Sequence, residues 1–212
     1  MSSAKSVVIS CAGIGSRLGL GQTKALININ GKSLIAWQLE MFKEVEDLRI
    51  VIGYQANDVV EEVLRYRNDV IFVYNHRYFE TKTGASLYLG SQHANDLILA
   101  WDGDLLVHPD DVKTILNSDY EFIGCADKAS EEAVFVNTNE YGEVISFSRK
   151  DGDYEWTGPA CIKRDKLKYS SNNVFNQLEP YLPIKGLKVR AYDIDTYQDF
   201  INVSNIVTTW LK

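Results

Sequence analysis

Cysteine is scarce in this chain, and positive charge is outweighed. Cys11, Cys125 and Cys161 are the three cysteines; they lie far apart, without metal-ligand spacing. An odd, scattered set excludes a disulfide framework or a zinc cluster, so these thiols are expected to be buried as small hydrophobes. No two of the histidines, His76, His93 and His108, have zinc-site spacing either. No apolar run approaches the ~20 residues a membrane helix needs, so membrane insertion is not expected. Met1 to Lys5 is short and polar, with only a strand's length of apolar residues behind it. That is unlike a secretory leader, and a cytoplasmic location is the expectation. Twenty-two Lys and Arg against 29 Asp and Glu give a net charge of −7, which argues against a nucleic-acid-binding surface. Repeats, low-complexity segments and Pro- or Ser-rich linkers are lacking as well. The 212 residues, 45% hydrophobic, are therefore read as one domain over residues 1–212 with a substantial core.

What is present is an alternation of periods. Ser6–Ser10 reads as a buried strand running straight into glycines. Ser33–Glu44 carries apolar residues at helical spacing, with Ser33 placed as its cap. Strands follow at Leu48–Ile52, Val70–Tyr74 and Leu97–Trp101. Helices are expected at Asn57–Arg65, capped by Asn57, at Gly84–His93, and at Pro109–Asn117, with Pro109 in its first turn. Strand and helix in this order predict an α/β fold: a Rossmann-like, mainly parallel sheet flanked by helices. After Tyr120 the pattern turns to strands at Phe122–Ala126, Ala133–Asn137, Glu143–Ser148 and Trp156–Lys163, separated by turn residues, so the second half is expected to add antiparallel strands. Short helices at Asp165–Lys168 and Asn172–Leu178, a strand near Leu187–Tyr192 and a helix from Tyr197 close the chain.

Two places carry the chemistry. The first is Ala12-Gly13-Ile14-Gly15-Ser16-Arg17, directly after the first strand. In open α/β sheets ligands bind beyond the carboxyl ends of strands, and successive N–H groups in a glycine turn can cradle phosphate oxygens. Arg17 and Lys24 supply positive charge. The P-loop and the dinucleotide fingerprint both fail here: Gly-Lys-Ser/Thr is absent, and Leu18 stands where the third glycine belongs. The second place is Asp102-Gly103-Asp104, where the apolar strand Leu97–Trp101 runs out. Residues two apart on a strand share a face, so both carboxylates can face a crevice, and one or two carboxylates suit Mg²⁺.

Ala12-Gly13-x-Gly15-Ser16-Arg17-Leu18, then Thr23-Lys24-Ala25-Leu26, then Gly31-Lys32-Ser33-Leu34-Ile35 resembles the opening of the nucleotidyltransferase superfamily that activates sugar phosphates and choline phosphate. Thr23 replaces the family's usual proline. The short spacer from Arg17 to Lys24 is similar to that of the cytidylyltransferases. The resemblance continues at Gly53-Tyr54 and in Asn75-His76-Arg77-Tyr78 followed by Thr83-Gly84-Ala85-Ser86-Leu87. It implies that Arg17 and Lys24 act on the phosphates. It also implies that Ala12 to Ser16, Gly53, Tyr54, Asn75, Thr83, Ser86 and Asp102 line the nucleotide. By the same resemblance Asp104 and Asp195, the latter in Asp193-Ile194-Asp195-Thr196, hold Mg²⁺. Glu155 and Gly158, with Lys150 or alternatively Arg149, would meet the acceptor. Asp195 or Thr196 could instead cap the last helix, and Asp199 reads as a solvated first-turn residue.

The chemistry implied is attack of an acceptor phosphate oxygen on the α-phosphorus of a nucleoside triphosphate, CTP by preference, with release of pyrophosphate. The partners would be that nucleotide and a small phosphorylated molecule, in surface-polysaccharide or lipid-head-group synthesis, with a homo-oligomer possible. Three alternatives stay open at this point. They are a sugar-1-phosphate uridylyl-, guanylyl- or thymidylyltransferase, a non-catalytic nucleotide-binding domain, and a glycosyltransferase whose D-x-D motif the Asp102–Asp104 triplet mimics.

Overall fold

A computed structural model describes residues 5–15, 21–128 and 133–210. Strand β1 (Lys5–Ser10) leads to the glycine turn and then to a 3₁₀ turn at Lys24–Leu26. The hairpin of β2 (Asn28–Ile29) and β3 (Lys32–Ser33) delivers α1 (Leu34–Met41). Alternation continues through β4 (Asp47–Ile52), α2 (Ala56–Leu64), β5 (Ile71–Tyr74), α3 (Thr83–Gly90), β6 (Leu97–Asp102), β7 (Leu105–Val107) and α4 (Pro109–Asn117). Then come β8 (Phe122–Ala126), β9 (Phe135–Thr138), β10 (Glu143–Ser148) and β11 (Tyr154–Lys163). The chain closes with α5 (Val174–Leu178), β12 (Ile184–Lys188), β13 (Ala191–Asp193) and α6 (Tyr197–Trp210).

The fold is mixed α/β, as the alternation predicts. One sheet of nine strands has the order β5-β4-β1-β6-β11-β8-β12-β10-β9. Its first four strands are parallel, and β11 enters antiparallel beside β6. Strand β9 pairs with both β10 and β11, so the second half of the sheet curls back on itself. Alternate residues of β1 feed two cores. Val7 and Ile9 pack with Ile35, Leu39, Val59, Val63 and Ile115 from α1, α2 and α4. Val8 faces Leu87 of α3 and Val174 and Leu178 of α5. Among the described residues no helix is long and apolar enough to cross a membrane.

Three expectations need correction. Asn57 does not cap α2. Gln55 takes the cap position in a left-handed conformation (φ 49°) without a capping bond, because its Oε1 accepts from the backbone N of Thr23 at 2.7 Å. The helix expected at Asp165–Lys168 is a single 3₁₀ turn, Arg164–Lys166. The strand expected at Leu187–Tyr192 breaks at Arg190. The backbone N and guanidinium of Arg190 both bind Asp111, and β13 leaves the large sheet to pair antiparallel with β7. The caps at Ser33 and the Pro109 start of α4 are as expected: Ser33 accepts from Ala36 N, and His108 accepts from Asp110 N.

The strand bases are tied by one polar network. Asp47 pairs with Arg49 at 2.7 Å and accepts from Ser6. Burial would raise the Asp47 pKa, but the bonds from Arg49 and Ser6 outweigh it and hold the carboxyl below its usual range. A depressed carboxylate contributes stability above its unfolded pKa and loses it as pH falls through the folded value. Asp47→Asn should therefore lower the urea midpoint at pH 7. The gap from the parent should narrow below about pH 4. A gap unchanged between pH 7 and pH 3 would show that the charge contributes nothing.

Candidate active site

Register sets the site. Ser10 pairs with Val51 on one side and Asp102 on the other, so β1, β4 and β6 end at one level. The chain beyond them forms a cleft of about 1270 Å³. Cys11, Ala12, Gly13 and Gly15 line it, Gly15 at φ +66°. The space beside Gly13 is open, while a side chain at Gly15 would press on Lys24. Gly53 and Tyr54 stand behind this wall. A Cβ at Gly53 would lie 2.9 Å from the Ala12 carbonyl and from Tyr78, and Tyr54 N donates to that same carbonyl at 3.1 Å. Ile14 is half-buried and does not line the cleft. Ser16 and Arg17 lie outside the described residues.

At the cleft floor Lys24 bridges two carboxylates. Its Nζ is 2.7 Å from Asp104 Oδ2 and also bonds Asp195 Oδ1. Two aspartates 91 positions apart in sequence thus converge on one cation. Lys24 is placed by Thr23, whose N–H is held by Gln55. A proline at position 23 would have no N–H to give, which accounts for the absence of the family's usual proline here. Desolvation would lower the Lys24 pKa, but Asp104 and Asp195 outweigh it and hold the ammonium above its usual value.

Asp102 stands beside them, and its carboxyl is pushed up to about 7 by desolvation first and by Asp104 second. Gly158 (φ +95°) is needed here, since a Cβ would sit 2.8 Å from Asp102 Oδ2. Gly158 therefore makes room for Asp102 and does not itself line the cleft. Asp193, which sequence reasoning left without a role, also lines the cleft. The cleft walls desolvate it, and Asp104, Asp102 and Asp195 crowd it, so its pKa lies well above the usual value. Its signal was the D-x-D spacing to Asp195, the same as in Asp102–Asp104. Burial and the neighbouring aspartates push the Cys11 thiol up, so it stays protonated and is no nucleophile. All three cysteines are buried and free.

Asn75, Thr83 and Ser86 form the next part of the wall. The Asn75 amide is spent on its own loop. Nδ2 donates to Thr81 and Ser86, and Oδ1 accepts from Arg77 N. Gly84 takes the place of a larger residue because the segment before α5 presses on it; a Cβ would lie 2.5 Å from the Asn172 carbonyl. Further along, Glu155, Trp156 and Phe175 line the cleft. Lys150 is exposed and away from it, whereas Arg149 lines it with its guanidinium 5.4 Å from the Phe175 ring centre.

Asp199 is not merely solvated. Its Oδ2 accepts from the N–H of Asp195 and Thr196 and from the Thr196 hydroxyl, and its own N–H donates to Thr196 Oγ1. Thr196 and Asp199 cap α6 reciprocally, which leaves the Asp195 carboxylate to the cleft.

Residues 7–154 match the model of the MobA-like NTP transferase domain. The chain belongs to this family. It is 33% identical to the choline-phosphate cytidylyltransferase of Streptococcus pneumoniae, over 94% of this chain and 97% of that protein. It is 32% identical to the bifunctional protein GlmU of Sulfurimonas denitrificans over 47% of this chain, and the matched part spans only about a quarter (23%) of that protein. Among solved structures, the inositol-1-phosphate CTP transferase of T. maritima superposes with a TM-score of 0.82 at 17% identity, over 99% of this chain and 97% of the other, a likeness of fold. The chain is a nucleotidyltransferase of the NTP-transferase fold, and the cleft lies where such folds bind ligands.

Proposed function

We propose that this nucleotidyltransferase is a Mg²⁺-dependent cytidylyltransferase, moving CMP from CTP to a small phosphorylated alcohol, choline phosphate first among them, with release of pyrophosphate. The observation that carries the reading is end-to-end similarity to a choline-phosphate cytidylyltransferase, combined with a cleft that runs from the glycine turn past the aspartates to an aromatic wall.

The charge balance supports a metal. Asp104 and Asp195 share the ammonium of Lys24, with Asp102 and Asp193 lining the same cleft, and a triphosphate brings more negative charge to this place. Among the described residues no group of three or more His, Cys, Asp or Glu side chains is arranged to hold a metal by itself, so any ion would rest on one or two carboxylates and the substrate. That suits Mg²⁺, which takes one or two carboxylates and completes its shell with phosphates and water. Asp104 and Asp195, already close enough to share Lys24, would hold it, and it would neutralise phosphate charge and polarise the reacting phosphoryl group. Lys24 offsets triphosphate charge, and the backbone N–H groups at Gly13 and Gly15 face phosphate oxygens. The acceptor phosphate is already an anion at neutral pH, so positioning replaces a strong general base. Arg149, which lines the cleft beside Phe175, would meet that phosphate. Trp156, Phe175 and Tyr197, with Glu155 nearby, suit a cationic head group. Such a product serves surface-polymer or lipid-head-group synthesis.

CTP should exceed UTP, GTP and ATP by at least about tenfold in kcat/KM, roughly 1.4 kcal/mol. Because the Asn75 amide is committed to its loop, the cytosine amine would be read by backbone carbonyls and by Ser86. An unpaired buried carbonyl discriminates strongly against uracil O4. Pyrophosphate release, with four nucleotides against a panel of phosphorylated alcohols and sugars, with Mg²⁺ and with chelator, tests this. Faster turnover with UTP and a sugar 1-phosphate would overturn the base and acceptor assignment.

A further inference from the structure

Gln38 lies in the middle of α1 with no accessible surface, on a helix whose neighbouring positions Leu34, Ile35, Ala36 and Leu39 are buried and apolar. Its Nε2 donates to the carbonyl of Asp102 at 2.9 Å and to that of Leu105 at 2.7 Å. Both amide hydrogens are thus spent on the two ends of the Asp102–Leu105 turn. Its Oε1 has no hydrogen-bond partner among the described residues. A buried acceptor left unmet costs ~1–3 kcal/mol. Turning the amide over would be worse, because Oε1 would then face two carbonyl oxygens. Packing alone would be better served by leucine or methionine, so the amide's contribution lies in what it holds.

The turn needs holding. Asp102 and Asp104 project from it into the cleft that Asp193 and Asp195 also line, and Asp104 Oδ2 sits 2.7 Å from Lys24 Nζ, so a small shift of the turn would break that contact. Gly103 N donates to Ser10 O at 3.0 Å, Ile194 N to Asp104 O at 3.2 Å and Trp101 Nε1 to Leu105 O at 3.4 Å; each of these holds one point of the turn, whereas the Gln38 amide ties its two ends to each other. We infer that Gln38 is a positioning residue for nucleotidyl transfer: it clamps the ends of the 102–105 turn so that Asp104 stays in register with Lys24 and Asp195. The inference rests on the reading that Asp104 serves the reaction.

Gln38→Met keeps shape and apolar packing and removes both donors. Its kcat should fall at least about tenfold, because sub-ångström placement errors are costly in the reaction step. KM for the acceptor should stay within about twofold, since the acceptor end of the cleft is untouched, and the circular dichroism spectrum should be unchanged. Val63→Ala, a cavity in α2 remote from the turn, is the control for lost stability and should keep kcat within about twofold. Should Gln38→Met not fold, Gln38→Glu carries the same comparison: buried against two carbonyl oxygens, its carboxyl stays protonated and offers one donor where the amide offers two. Equal kcat losses in the Gln38 and Val63 variants, or a Gln38 variant at parental kcat, would overturn the inference. Asp104→Asn separates it from the reading beneath it. If Asp104→Asn is inactive while the Gln38 variants are normal, the clamp is wrong. If Asp104→Asn is fully active, the role given to Asp104 is wrong.

Discussion

Asp104→Asn and Asp195→Asn should each lower kcat about a thousandfold, ~4 kcal/mol in the barrier, with little loss of stability. Both side chains open into the cleft, and each shares Lys24 with the other. Neutralising one of them gives up one of the two ion pairs to Lys24 but leaves the other and lowers the negative charge of the cluster, so the melting temperature should change little. Asp195→Asn leaves the cap of α6 in place, because Thr196 and Asp199 make the capping bonds. Thr196→Ala is the informative contrast. It should cost about 1 kcal/mol of stability, as lost caps do, while leaving kcat nearly intact. Steady-state rates at saturating nucleotide and Mg²⁺, beside thermal melts, decide the matter. An Asp195→Asn enzyme with parental kcat would remove that carboxylate from the reaction.

These two residues also show what a sequence can and cannot disclose. The strand before the glycine turn, and the apolar strand before Asp102, were legible because a buried strand is a continuous apolar run and its end is abrupt. The helices α1 and α4 were legible through Ser33 and Pro109, whose effects are local. What was hidden depends on contacts distant in sequence. Gln55 gives up capping because Thr23, 32 residues earlier, uses its side chain. The run from Leu187 reads as one strand, yet it breaks where Arg190 meets Asp111, 79 residues away. Arg149 and Lys150 are adjacent cations, and only the Phe175 ring tells which one faces the cleft. Asp193 had the right spacing, but its place in the cluster depends on β13 crossing to β7. Gln38 gave no signal, since a glutamine on a helix is ordinary until its 64-residue reach to Asp102 is seen.

Lys24→Met should reduce kcat at least about a hundredfold, ~2.7 kcal/mol, whereas Arg77→Ala and Lys128→Ala should stay within about twofold. All three are cations paired with carboxylates, so the pairing itself does not separate them; their surroundings do. Arg77 and Glu80 are both mostly exposed, as are Lys128 and Asp151, and such pairs are worth little in water. Lys24 is 12% exposed at the cleft floor, where charge acts at lower effective dielectric. Removing it takes away the cation that Asp104 and Asp195 share, and a triphosphate would bring further negative charge to the same place. The nucleotide KM should therefore rise together with the fall in kcat. Lys24→Arg should recover little. A planar guanidinium has a different reach from the compact ammonium that now meets two carboxylates at one point. Kinetic constants for the four variants at low and at 0.5 M salt test the distinction, because diffuse electrostatic attraction is screened by salt and a desolvated contact much less so. Equal losses at positions 24, 77 and 128, all reduced by salt, would mean that the cations act only as a field drawing in the nucleotide.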